Sequence, residues 1–164
     1  MRRAILDLPG QHADVLPQLL ERIPPAEYLW ALTGSAGLRL QGVDISVNDL
    51  DVQTDAKTVF LLEKELTEFM KVSVHRWETE HTVSYHGQAE INGVQVELLG
   101  DMRHRKPDGS WGAALDIDSV LVWLEWRHFN IPVLSLEHEA AAYARMGRMQ
   151  KAELIRAAIR KEAR

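Results

Sequence analysis

Two stretches of this chain combine residue types and spacing that suit chemistry: Leu32-Thr33-Gly34-Ser35 and Asn48-Asp49-Leu50-Asp51-Val52. A Gly-Ser turn opening a helix lets the backbone approach an anion and aims free N–H groups at it, and Ser35 adds a hydroxyl donor. Side chains alternate across a strand, so Asp49, Asp51 and Gln53 share one face while Leu50 and Val52 turn into the core. Two carboxylates one strand repeat apart repel each other, and a shared hard cation relieves the repulsion. Together the stretches suit a nucleoside triphosphate held with divalent metal, and nucleotidyl transfer is the reaction to expect. A third acid repeats the design. In Val94 to Leu99 the residues Gln95, Glu97 and Leu99 share a face, and Val94, Val96 and Leu98 fill the other. If this strand pairs beside Asp49, Glu97 completes a metal cluster or takes the proton from an attacking hydroxyl.

Hydrophobic periodicity predicts the elements that must position these groups. Val15, Leu16, Leu19, Leu20 and Ile23 predict an amphipathic helix over 14–23, ended by Pro24-Pro25. The apolar run 28–33 predicts a buried strand, 35–41 a short helix stopped by Gly42, and 49–53 the acidic strand. A longer amphipathic helix is expected over 56–70, then strands over 71–75, 82–86 and 88–91. Asn92-Gly93 is a turn dipeptide leading into a strand over 94–99. A hairpin is expected from 121–126 and 131–134. Ser135 caps a helix with Glu137 and Glu139 in its first turn, Gly147 interrupts it, and 149–161 continues as helix. This order gives an α/β (α+β) domain, a mixed β-sheet flanked by helices. Residues 1–134 form the α/β part, and 135–164 a C-terminal helical segment of the same domain.

Composition bounds the function. With 164 residues, 46% hydrophobic and 26% charged, the chain fits one globular domain. A net charge of -5 argues against a general nucleic-acid binder. The absence of cysteine excludes disulfides, thiolate zinc sites and a Cys nucleophile. No apolar run is long enough for a bilayer and no secretory leader is evident, so a cytoplasmic protein is expected. The seven histidines show no zinc spacing, and Ser35 lacks the Gly-x-Ser-x-Gly frame of a hydrolase nucleophile. Three basic features are candidates for phosphate: Arg39, about one helical turn beyond the Gly-Ser turn, the run Arg103-His104-Arg105-Lys106, and the group Arg145, Arg148 and Lys151.

Gly34-Ser35, then Asp49-Leu50-Asp51 on the next strand, then Glu97 on a later one, resembles the nucleotidyltransferase fold of the DNA polymerase beta superfamily. From about Tyr28 to Ile159 the chain is similar to small nucleotidyltransferase-domain proteins and to the aminoglycoside and lincosamide adenylyltransferases. The resemblance implies that Asp49 and Asp51, with Glu97 as third acid, hold two Mg²⁺ ions on a triphosphate. It implies that Gly34 and Ser35 bind the β and γ phosphates, with Arg39 and Arg148 as further nucleotide contacts, and that Glu97 positions or deprotonates the acceptor hydroxyl. AMP from ATP, or the equivalent from another NTP, would then pass to a small-molecule acceptor. Two alternatives stay open: a toxin–antitoxin type enzyme acting on tRNA, which the acidic charge disfavours, or on protein, and a non-catalytic nucleotide-binding or interaction module. A homodimer that completes the acceptor site is a further expectation.

Overall fold

The computed structural model describes residues 1–164. A two-residue strand, β1 (Arg2–Arg3), precedes α1 (Gly10–Arg22), which buries Val15, Leu16 and Leu19. The apolar run expected as a strand is β2 (Trp30–Thr33), buried along its length, and it passes directly into α2 (Gly34–Leu40). The acidic strand is β3 (Leu50–Thr54), followed by α3 (Ala56–Glu65), which the Asp55 carboxylate caps by accepting from the Thr58 N–H at 2.7 Å. Three long strands come next: β4 (Met70–Glu78), β5 (Thr82–Ile91) and β6 (Val94–His104). A short α4 (Ile117–Val120) leads into the hairpin of β7 (Leu121–Trp126) and β8 (Phe129–Leu134). The chain ends in α5 (Leu136–Arg145), capped by Ser135 as its sequence foretells, and α6 (Met149–Glu162).

All eight strands form one mixed sheet in the order β1-β7-β8-β2-β3-β6-β5-β4. At its centre β3 runs antiparallel to β2 and parallel to β6. Leu50, Val52, Val96 and Leu98 point to one face, where α1 and α3 cover them in the principal core. That burial is the main driving force for the fold. A smaller apolar cluster joins Leu38 of α2 and Val43 to Leu136, Ala140 and Tyr143 of α5 and to Ala152 and Ile155 of α6. The C-terminal helices are thereby fixed against the turn that follows β2. No helix is long and apolar enough to cross a membrane.

Several boundaries differ from the sequence expectation, each for a local reason. The first helix begins at Gly10, directly after Pro9. The helix expected to reach Met70 stops at Glu65, where the Thr67 hydroxyl donates to the Lys64 carbonyl at 2.6 Å and a 3₁₀ turn follows. The break expected between 86 and 88 is absent. Gly87 instead gives β5 room beside β4: a Cβ there would lie 2.8 Å from Val74 Cγ2. Likewise β6 runs on through Gly100, where a Cβ would lie 2.7 Å from Val59 of α3. The next residue, Asp101, takes a φ of 56° beside an irregularity in the β5–β6 register.

Gly100→Ala therefore overpacks the α3–β6 contact, and urea unfolding is expected to show a loss of about 1–3 kcal/mol. Adding Val59→Ala should return part of that loss. Two effects that simply add would contradict the close approach.

Candidate functional site

The register of the central strands assembles the site. Thr33 lies opposite Asp51, Asp51 opposite Glu97, and Glu97 opposite Gln88. The expected pairing of the two acidic strands is therefore present, with Asp51 and Glu97 side by side on the face away from the principal core. Asp49 sits one residue before β3 rather than within it. The segment that carries it is tied down at Asn48, whose N–H donates to Ser35 Oγ at 3.2 Å and whose carbonyl accepts from His12 Nε2 at 2.8 Å. Ser35 thus accepts from the backbone while its own O–H stays free to donate.

Gly34 is required by geometry as well as by conformation. Its φ is 67°, and a Cβ there would meet Asp51 Oδ2 at 2.2 Å. The close approach buries the Asp51 carboxylate against the turn. Burial, then the charges of Asp49 and Glu97, push Asp51 up to about 7. Asp49 is raised by burial and by Glu97. Such mutually repelling carboxylates, all oxygen donors, fit a hard divalent cation such as Mg²⁺.

Glu97 is held apart from that pair. Its carboxylate accepts from His86 Nε2, from Gln95 Nε2, and from Gln88 Nε2 at 3.3 Å. No three acidic or histidine side chains stand gathered around one point for a metal ion. The expected cluster of Asp49, Asp51 and Glu97 is thus an aspartate pair with Glu97 engaged on its far side. The sequence gives His86 no role beyond a hydrogen-bonded histidine, and here its partner is the third acid.

The opposite wall comes from the C-terminal helices. Glu139 of α5 is 5% exposed, and its carboxylate accepts from the Thr33 hydroxyl. Burial pushes it up to about 7, against hydrogen bonds from Thr33 and the Gly34 backbone that favour the charged form. In the sequence Glu139 reads only as an acid in a helix's first turn, 106 positions from Thr33. Tyr143 carries two cations against its ring: the Arg148 guanidinium is 5.0 Å from the ring centroid and the Lys151 ammonium 4.6 Å. The Lys151 ammonium is held below its usual range by burial and by Arg148, while Glu139 and Asp51 oppose the shift. A cavity of ≈ 200 Å³ joins these walls, bordered by Gly34, Asp51, Glu139, Tyr143, Arg148 and His104.

Not every candidate reaches this cleft. Arg39 lies at the far end of α2, where it donates to the Asp7 carbonyl at 2.6 Å and to Asp44 at 3.3 Å, so it fastens the loop after α2 instead of facing phosphate. Strand alternation divides the basic run of 103–106. His104 borders the cavity, whereas Arg103 pairs with Asp101 at 3.2 Å and Arg105 stacks 4.0 Å over Trp111. His104 is held down to about 4 by burial and by Arg145 and His138.

Comparison with known proteins agrees with this geometry. A family model described as aminoglycoside-2''-adenylyltransferase matches residues 15–157. A crystal structure of a proposed nucleotidyltransferase from Thermotoga maritima shares 35% identity, covering 95% of this chain and 97% of that one, with a TM-score of 0.83. The lincosamide antibiotic adenylyltransferase LnuA, solved with lincomycin bound, has the same fold. It shares 14% identity over 91% of this chain and 99% of that one, with a TM-score of 0.55. No curated protein matches the sequence.

The buried acids set a pH dependence for the metal-free protein. Asp51 and Glu139 rise from 3.8 and 4.5 to about 7 on folding, so between these values the folded chain binds more protons than the unfolded one. Their contribution to stability is present in acid and is lost as pH rises through that window. The melting temperature of the wild type should consequently drop more steeply between pH 5 and 8 than that of Asp51→Asn/Glu139→Gln. Parallel curves for the two proteins would contradict the assignment.

Proposed function

Given that the chain belongs to the aminoglycoside-2''-adenylyltransferase family and is a nucleotidyltransferase, we propose that it transfers AMP from ATP to a hydroxyl of a small-molecule acceptor. The reaction depends on Mg²⁺ and releases pyrophosphate. The observation that carries this reading is the strand register, with Asp51 opposite Glu97 and Gly34 against Asp51. In this reading Asp49 and Asp51 hold the metal, which when bound neutralises charge on the phosphate oxygens and aligns the reacting groups. Gly34 offers close backbone approach and Ser35 its free O–H to the β and γ phosphates. Arg148 and Lys151, both held against the Tyr143 ring, supply positive charge to the triphosphate.

Glu97 is the residue for the acceptor. It draws the proton from the attacking hydroxyl, and His86, Gln88 and Gln95 fix its carboxylate for that task. Because these donors fix the carboxylate, its oxygens are oriented before substrate arrives. The hydroxyl oxygen then forms a bond to the α-phosphorus as the bond to the pyrophosphate oxygen breaks. A small-molecule acceptor is favoured over tRNA by the net charge of -5, which opposes the long-range attraction of a polyanion.

The test is ligand-dependent melting. ATP with Mg²⁺ at a hundredfold excess over Kd should raise the melting temperature by about 5–10 °C. Without Mg²⁺, or in Asp49→Asn/Asp51→Asn, that rise should vanish. If none of the four NTPs stabilises the protein at millimolar concentration with Mg²⁺ present, the proposed reaction is wrong.

A further inference from the structure

We propose that the uncovered face of β5 and β4 around Trp77 is the acceptor subsite, and that Trp77 receives the acceptor as a saturated, hydroxyl-bearing ring stacked on its indole. This inference rests on the nucleotidyl-transfer reading above. It names where the acceptor lies and which residue selects it.

The order of strands carries the argument. In an in-line displacement the attacking oxygen and the leaving pyrophosphate lie on opposite sides of the α-phosphorus. The strands follow in the order β2, running into Gly34, β3 with Asp51, β6 with Glu97, then β5 and β4; Glu97 faces Gln88, and His86, one strand repeat along β5 from Gln88 and opposite His75 of β4, reaches back to bond Glu97. On the β2 side the cleft is walled by α5 and by Arg148, and it is the side assigned to the triphosphate. The attacking hydroxyl must then approach from the other side of Asp51, past Glu97. That side is β5 and β4.

The surface found there suits a ring. His75 lies opposite His86 and Trp77 opposite Ser84, so the four side chains share the face that carries Glu97. Ring geometry agrees: the Trp77 and His86 centroids are 5.1 Å apart, and those of His75 and His86 6.0 Å apart. His86 in turn bonds Glu97. No helix roofs this face. Ser73 and His75 are exposed, and Trp77 is 48% exposed, an unusual place for an indole unless something is to cover it. Neighbouring strands are about 4.8 Å apart, so β4 lies two strand spacings across the sheet from β6, and His86, in contact with the Trp77 ring, spans the remaining distance to the Glu97 carboxylate. The aliphatic C–H face of a saturated ring packs on the indole, and its hydroxyls find a hydrogen-bonding partner in the imidazole edge of His75. Register shifts along β4 between Met70 and His75 disrupt the regular edge, which guards it against pairing with another strand.

The test follows the indole N–H resonances of the ¹⁵N-labelled protein, with the Trp77 signal identified by its loss in Trp77→Phe. Kanamycin and lincomycin serve as ring probes, added with Mg²⁺ and a non-hydrolysable ATP analogue. The Trp77 signal should move with at least one probe and stay in place with the nucleotide alone. For that probe, calorimetry should show Trp77→Ala weakening the Kd about tenfold, with Trp77→Phe within about threefold of wild type and the nucleotide Kd unaltered. Melting temperature reports nucleotide occupancy separately. If the analogue with Mg²⁺ does not bind, the reaction reading itself falls. If it binds and Trp77 stays still with both probes, only the subsite falls. Movement of Trp77 on nucleotide alone would make it a platform for the base and also overturn the proposal.

Discussion

The burial of one carboxylate organises this protein. Asp51 points from the central strand into a turn where Gly34 leaves no space for a side chain. A charge placed there is disfavoured by lost solvation and by Asp49 and Glu97, which is why its proton is held up to about 7. Such an arrangement persists only if the surroundings fix it. They do so through the apolar underside of the same strands, where Leu50, Val52, Val96 and Leu98 are fully buried. A single alternating pattern therefore places repelling acids on one face and secures them with hydrophobic burial on the other. The strain of the site and the stability of the core belong to the same ten or so residues.

The second consequence concerns rigidity. Asp51 and Glu97 lie on central strands with backbone hydrogen bonds on both sides, so their separation is set by strand spacing and not by loop conformation. Asp49 lacks that support, being one residue short of the strand. Asn48 supplies it instead, with one hydrogen bond to α1 and one to α2. Thr33 links the same region to α5 through Glu139. The first wall of the cleft is built by pairing within the sheet, the second by side chains that reach between layers.

That division explains what was legible from sequence. Gly34, Ser35, Asp49, Asp51 and Glu97 stand out because alternation and spacing are local properties; the strand register then sets Asp51 beside Glu97, but His86, Gln88 and Gln95 engage Glu97 and the expected three-acid cluster does not form. Glu139 and His86 become informative only through partners on other elements, and Lys151 and Tyr143 only once α5 and α6 are packed. Arg39 misleads for a related reason. Its distance from Gly34 along the chain is short, but α2 carries it to the opposite end, beside Asp7. Gly87 and Gly100 mislead in the other direction. A glycine inside a strand reads as a break, whereas each of these marks close packing against a neighbour in an unbroken strand.

The two sides of the cleft also differ in how freely they can change. Around Gly34 and Asp51 nearly every position is constrained twice, by packing and by charge. Thr33 holds Glu139, Gly34 makes room for Asp51, and Tyr143 contacts two cations. Substitution there disturbs both fold and electrostatics. The exposed residues of β4 carry no such double burden, because their side chains on the Glu97 face pack under no helix. In a nucleotidyltransferase, the invariant part of the reaction is the triphosphate and the variable part is the acceptor. On the reaction proposed above, the two strands beyond Glu97 would give the variable partner a surface of its own. Exposed residues of β4 on that surface can change without disturbing the packing that holds Asp51 and Glu97.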